Sequence, residues 1–492
     1  MKRILLTALC MVMALGQVFS QEIKDRAEYN LNRNRALWYN SGNAAGLARD
    51  EMLLWRDVAF SYGIESGKFT DSWGARTISG FSLGGSTLMD IEGFTVAAKL
   101  TLDRERLYKC KYNTSLYELT WDMPFFVATN NSESFLWKHN EADIEVSAAA
   151  PLIFDGQLSV GMALRTNGRT AVKSADPQSR YGSFDMEMAP GATFVIDDDN
   201  LVGMTLRYRF NPAKTTLASD VESPARVAFM RGLGDYTPRW VSAIGMDRLS
   251  YISNRFGVDL QYNRIGAGRQ WLMELSFDAG TTRVEETDFT LGKVNKFVFG
   301  LGVQGLFGEG RNRKLNVDVK YNRFHWTEGT EDIIGRGGII DLHADYTLYT
   351  DAKDISYDLE LGAGADVTSI SARRIAGLEG HFSSFSVLPY VLAGKNIPVT
   401  KESTLLARVS LGINYSAKPG YELEGDSIYK KMYKDEADYL GRFFYRNAAD
   451  VEYTFRMNTM LSTYARLSLV HQMPMTIKGG RILATLAVGV LF

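Results

Sequence analysis

Lys314-Leu315-Asn316-Val317-Asp318-Val319-Lys320-Tyr321-Asn322 alternates polar and apolar residues without a break. Successive side chains of a β-strand point to opposite faces, so this stretch makes a strand with one apolar face and one polar, charged face. The split recurs along the chain. Phe256, Val258, Leu260 and Tyr262 oppose Arg255, Asp259, Gln261 and Asn263, and Val202, Met204, Leu206 and Tyr208 oppose Gly203, Thr205, Arg207 and Arg209. Leu405, Ala407, Val409 and Leu411 oppose Leu406, Arg408, Ser410 and Gly412, while Ile355, Tyr357, Leu359 and Leu361 oppose Asp354, Ser356, Asp358 and Glu360. Similar runs lie near 94–102, 158–166, 271–279, 342–348 and 451–457.

These runs extend over about nine to twelve residues, longer than the five or six usual in a soluble sandwich. That is the length a tilted strand needs to cross a bilayer, and in lipid only a closed barrel leaves no strand edge unpaired. The expected fold is therefore all-β, a transmembrane antiparallel up-and-down barrel with its apolar parity toward lipid and its polar parity toward a lumen. Trp121, Trp271, Trp326, Tyr262, Tyr321 and Tyr415, near strand ends, suit the aromatic girdles at the two interfaces. The connections alternate, short at 264–268, 307–311, 350–353 and 396–401, long at 211–252, 280–293, 325–338, 367–381 and 416–448. Outer-membrane barrels carry short periplasmic turns and long external loops, which sets the C terminus in the periplasm. Counting segments back to Thr77 gives about 18 strands within a range of 14–20, and 58–64 reads either as a strand or as part of a plug.

Lys2-Arg3 followed by an apolar run over 4–18 reads as a secretory signal peptide spanning 1–20 and cleaved before Gln21. The expected organisation is then 21–56 as a periplasmic N-terminal segment or hatch and 57–492 as the barrel. Beyond the signal, the longest stretch free of Asp, Glu, Lys and Arg is 380–394 and contains a Pro, too short for a spanning helix. Helical periodicity is scarce, its best candidate lying at 25–38. Cys110 alone survives processing, so no internal disulfide forms. The net charge of −2 over 492 residues gives no support to a bulk electrostatic nucleic-acid binder.

Ile482, Ala484, Leu486, Val488, Val490 and Phe492 share one parity, and the chain stops at the aromatic. This ending, above all Val488, Val490 and Phe492, resembles the C-terminal sequence by which the barrel-assembly machinery recognises outer-membrane barrels. The implied partners are that machinery and the lipid of a Gram-negative outer membrane. Trp38-Tyr39-Asn40-Ser41-Gly42-Asn43-Ala44-Ala45-Gly46-Leu47, then Asn113-Thr114-Ser115-Leu116-Tyr117-Glu118-Leu119, then a barrel, resembles an uncharacterised outer-membrane β-barrel family of the Bacteroidota. Asn43-Ala44-Ala45-Gly46-Leu47-Ala48 is also similar to the Asn-Pro-Ala-Gly-Leu-Ala signature in the hatch of FadL-type transporters of hydrophobic compounds. Ala44 replaces the proline, and the charged lumenal parity departs from the apolar-lined lumen of that family. The other reading of 42–46 is a turn ahead of the barrel.

No motif points to catalysis. Gly300-Leu301-Gly302-Val303-Gln304-Gly305 has dinucleotide-binding spacing, but it sits within an alternating strand and lacks the strand-to-helix turn that would meet a pyrophosphate. His139, His325, His343, His381 and His471 form no metal-ligand spacing, and His381 with Ser383 lacks an orienting acid, so the chain is read as neither an enzyme nor a holder of metal or cofactor. The candidate site is the lumen. Asp341, His343, Asp345, Asp354, Asp358 and Glu360 gather acidic charge, with Asp318 beside Lys314 and Lys320, while Arg207, Arg209 and Arg255, with Asp259, form a basic counterpart and Arg408 stands apart. Such patches would either focus ions and orient a polar solute or pair with in-folded loops to close the lumen. The first makes the protein a channel or transport component for a small solute. The second makes it a non-conducting interaction barrel that displays 211–252 and 416–448 to a partner in an uptake or secretion complex.

Overall fold

The structure is a computed structural model that describes residues 26–492 apart from 116–119, 130–134, 220–224, 242–246, 287–288, 330–331, 351–356, 377–378, 424–427, 459–460 and 476–478. The signal peptide expected over 1–20 lies outside these residues. Eighteen antiparallel strands, from Trp55–Gly67 to Arg481–Leu491, each pair with the next, and the first pairs with the last from Asp57↔Leu491 to Gly67↔Arg481. The sheet thus closes on itself and the transmembrane barrel has no edge strand. The total of 18 includes Trp55–Gly67, the segment that could have been a plug. Conversely Phe125–Thr129, Ala225–Gly232 and Asp235–Val241 leave the wall and form a separate three-stranded sheet.

Wall strands run from 11 to 20 residues, longer than the alternation implied. The extra length shortens the loops: Leu359–Arg374 and Gly380–Pro398 leave 375–379 between them where a connection spanning 367–381 was expected. The reason lies in the parity itself. On Arg313–Glu328 the outward residues are Leu315, Val317, Val319 and Tyr321, then Arg323 and His325; the inward residues are Lys314, Asn316, Asp318, Lys320 and Asn322, then the buried Phe324 and Trp326. The faces exchange character above Asn322. Arg269–Glu286 does the same, with Met273, Leu275 and Phe277 exposed outward and Val284 buried inward, and so does Leu359–Arg374, with Leu361 outward and Ile370 and Ala372 inward. At mid-height the wall is apolar outside and polar inside, as lipid requires. Toward the longer loops it is polar outside and apolar inside, like a water-soluble protein.

That apolar interior is filled by a cap. Phe125, Phe126, Val127, Phe229 and Met230 of the small sheet pack with Phe324, Trp326, Ile370 and Phe382 of the wall. Helix α2 (Ile428–Leu440) adds Met432, Tyr433 and Ala437 from the connection that holds Lys430, Lys431, Lys434, Asp435 and Glu436, so this part of the expected loop 416–448 folds over the mouth. Trp121 stacks on Phe382 at 4.0 Å between ring centres, and Trp326 Nε1 donates to the Arg231 carbonyl at 3.1 Å.

The opposite end is entered by the N-terminal segment. Helix α1 (Arg26–Arg35) falls within the one stretch with partial helical periodicity, carries Glu28 in its first turn and Arg33 and Arg35 in its last, and so complements its own dipole. Ala27 and Leu31 pack on Tyr349, Tyr357 and Leu406 of the wall, and Trp38 on Leu201, Leu272 and Leu306. No helix among the described residues is long and apolar enough to cross a membrane.

Trp326→Ala should remove about 3–5 kcal/mol from cap docking, because the ring is only 1% exposed and leaves a cavity. Limited proteolysis of 225–241 should then accelerate about a hundredfold or more. Trp240→Ala, at a side chain 66% exposed, should leave the rate unchanged.

Candidate functional site

The hatch is held by the residues of the Asn43 signature. The Asn43 side chain caps the short helix Ala44–Arg49, its Oδ1 accepting from Ala45 N at 3.0 Å, while its Nδ2 donates to the Ala192 carbonyl and to Gln261 Oε1, each at 3.1 Å. Gly42 N donates to Glu274 Oε2 at 3.2 Å, and Arg49 reaches the carbonyls of Gly156 and Gln157 at 2.6 and 3.0 Å. The wall makes room with inward glycines. A Cβ at Gly161 would lie 2.4 Å from Ala45 N, and one at Gly191 would lie 2.3 Å from Asn43 Oδ1. Residues 42–46 are therefore docked inside the barrel instead of forming a turn ahead of it. Of the second resembling stretch, Thr114 and Ser115 are buried in the cap, where Ser115 Oγ accepts from Val127 N at 2.7 Å; 116–119 lie outside the described residues.

Between hatch and cap the inward side chains are charged. Lys99, Glu145, Arg165, Glu187, Arg209 and Arg255 stand directly opposite one another on six successive wall strands. Arg165 bonds Glu145 at 2.9 Å and Glu187 at 2.7 Å. The alternation of sign fails at the last step, where Arg209 faces Arg255. Arg209 is instead paired with Asp185, and Arg255 makes no ion pair among the described residues. A cavity of about 290 Å³ opens beside this row, lined by Arg33, Trp38, Gly42, Lys99, Glu145 and Arg165.

The basic patch expected from Arg207, Arg209 and Arg255 is largely neutralised across strands, since Arg207 bonds Asp259 at 2.7 Å and Asp278 at 2.9 Å. On the acidic side Arg408 bonds Glu360 at 2.7 Å and the Tyr357 hydroxyl at 2.8 Å. Tyr357, expected on the lipid-facing parity, is buried in the lumen because the strand begins only at Leu359. Asp358 precedes that strand and is exposed, and Asp354 lies outside the described residues. His343 stands in register between Asp318 and Asp366 and bonds Asp366 at 2.6 Å and Asp345 at 2.9 Å. Asp341 accepts from Thr368 at 3.0 Å, Lys320 lies 3.6 Å from Asp318, and Asn316 bonds Asp345 at 3.3 Å near Lys314. Lys99, Glu145, Arg165, Asp185, Glu187 and Asp278 were not singled out from the sequence, although each sits on the polar parity of a strand. Only the register shows that the six charges of the Lys99 to Arg255 row stand opposite one another.

The cap is pinned into this region by Asp122. Burial opposes its charge, but the Lys296 ammonium at 2.7 Å and donors from Thr120 and Asn322 prevail and hold its carboxyl down at about 2. Glu436 of α2 behaves oppositely: burial pushes it up to about 7, with Ser72 N donating to it at 2.9 Å. Elsewhere the chemistry stays sparse. The glycine-rich 300–305 runs within the strand Phe289–Phe307, and Glu422 lies 3.8 Å from His381, beyond hydrogen-bond reach. Among the described residues no group of three or more His, Cys, Asp and Glu side chains converges as a metal shell would.

These features define a closed transmembrane β-barrel with a hatch at one end and a cap at the other. By its match over residues 44–492, the chain belongs to a family of unknown function, DUF6850. No curated protein matches it. Among solved structures it is similar to the outer membrane transporter YddB from Escherichia coli, at 7% identity and a TM-score of 0.42, covering 89% of this chain and 80% of that one. It is also similar to the ferric preacinetobactin receptor BauA from Acinetobacter baumannii, at 6% identity and 0.39, with coverage of 90% and 81%. A Pseudomonas aeruginosa FadL homologue matches at 9% identity and 0.36, covering 96% of this chain and 98% of that one. At these identities nothing about ligand or partner carries across.

Asn43→Ala should weaken hatch docking by about 1–3 kcal/mol through the partners it strands, read as amide exchange over 43–49 faster by about tenfold to a hundredfold. The cap should respond to pH. A folded-state carboxyl at about 7, above the ordinary glutamate value, favours the protonated form, so Glu436 stabilises α2 docking at acidic pH and loses that contribution as pH rises toward and through 7. The protection of amides in 430–440, taken relative to the intrinsic base-catalysed rate, should therefore fall between pH 5 and 8, and in Glu436→Gln that fall should vanish.

Proposed function

We propose that this chain is a gated transport component of a Gram-negative outer membrane, exported on the signal at 1–20, which admits a small charged solute through its lumen. In this reading the hatch faces the periplasm, the cap faces outward, and the charged residues between them form the solute's path. The observation that carries it is the independence of the wall. The ladder closes through Trp55–Gly67 and Arg481–Leu491 without a single strand from the hatch or the three-stranded cap. The hatch is seated by side-chain hydrogen bonds, ion pairs and apolar contact, so it can withdraw while the wall's backbone bonds stay intact, whereas the cap connection is also laddered to the wall from Gly380↔Leu423 to Ser383↔Gly420. Arg255, unpaired and facing Arg209, is the cation best placed to meet an anionic group.

The extensive apolar packing of the cap favours a second reading, a barrel that stays shut and offers its loops to a transport or secretion partner. Conductance separates the two. In planar bilayers the full chain should be silent, and a chain lacking 21–54 with its cap loosened by Trp326→Ala should conduct, with Arg255→Gln in that background shifting selectivity toward cations. Silence of the truncated chain, once its folding is confirmed by heat-modifiable gel migration, would overturn the transport reading and leave the interaction barrel.

A further inference from the structure

On the outer wall, immediately past the apolar band on the cap side, three arginines meet. Arg336 and Arg373 are directly opposed on neighbouring strands, and Arg323 lies on the strand to the other side of Arg336, opposite Gly338. Like charges opposed across a ladder destabilise it unless an anion lies between them. None of the three makes an ion pair among the described residues. All three are exposed, and with Gly338 and Ser371 they border a cleft of about 500 Å³. Gly338 and Ser371 are themselves in register between Arg323 and Arg373, and the Tyr321 ring lies beside Gly338 on the cleft floor. Directly below, on the same face, Tyr321, Ile340 and Phe299 are exposed where the wall meets lipid.

Guanidinium groups bind phosphate oxygens in bidentate pairs and hold their charge at any physiological pH. A cleft with this lining, continuous with an acyl-facing belt, matches a ligand that is phosphate at one end and hydrocarbon at the other. We propose that Arg323, Arg336 and Arg373 bind the phosphate groups of a phosphorylated lipid in the leaflet at the cap end. The site rests on the wall being embedded in lipid and is independent of whether the lumen conducts.

Native mass spectrometry of the detergent-solubilised full chain tests it, with diphosphorylated lipid A, its dephosphorylated form and inorganic phosphate as probes. The diphosphorylated lipid should be retained about tenfold or more better by the wild type than by the triple variant Arg323→Gln, Arg336→Gln, Arg373→Gln. Arg264→Gln, at an outward arginine on the hatch end, should retain it normally. Equal retention by the triple variant, equal retention of the dephosphorylated lipid, or displacement of the lipid by equimolar inorganic phosphate would each overturn the assignment. Should the triple variant fail to fold, the dephosphorylated lipid on the wild type still decides. Because the readout is lipid retention, its failure is distinct from a failure of conductance.

Discussion

Everything in this molecule follows from a ladder of backbone hydrogen bonds that has no end. A strand in lipid cannot leave its amides unpaired, and joining Trp55–Gly67 to Arg481–Leu491 satisfies the last exposed edge. The terminal aromatic is part of that seam: Phe492 exchanges backbone hydrogen bonds with Arg56, whose guanidinium lies over the Phe492 ring. With the edge closed, each residue of the wall has two places to point, and its height on the strand decides what each place contains.

Three solvents result. At mid-height the outside is lipid and the inside is water, so Phe277, Phe299 and Leu301 face outward and Asp278, Arg207 and Lys320 inward. At the cap end the outside is water and the inside is protein, which is why Phe324 and Trp326 are buried on the face that carries Asp318 and Lys320 lower down. At the hatch end Leu272, Leu306 and Tyr349 again line the inside, against Trp38 and the α1 helix. The lumen is thus polar only in the middle, and its charges are largely balanced by neighbours in register. Arg255 stands out among them, since it makes no ion pair among the described residues.

Much of the wall was legible because a period-two pattern is local: nine residues such as 314–322 reveal strand, faces and membrane length together. The expected total of about 18 strands matches the wall, and 225–241 lies within the expected connection 211–252, where with 125–129 it forms the cap sheet. Their nearly all-apolar character, as in Phe125-Phe126-Val127-Ala128, was the available sign that they lie buried on both faces. The charged parity was equally legible, yet its meaning was not. Arg207, Arg209 and Arg255 looked like one basic patch because they share an end of the sequence map. Asp278 and Asp185, which with Asp259 divide that patch, arrive from other strands.

The sequence by itself determined that this protein is a barrel of long, alternating strands, because alternation and strand length are properties of neighbours along the chain. Only the tertiary structure decided which charges face one another, where the faces exchange character, and that hatch and cap sit inside the lumen. Those outcomes depend on register between strands, which fixes the level of every side chain, and on what fills the barrel at that level. Neither is encoded within any one strand.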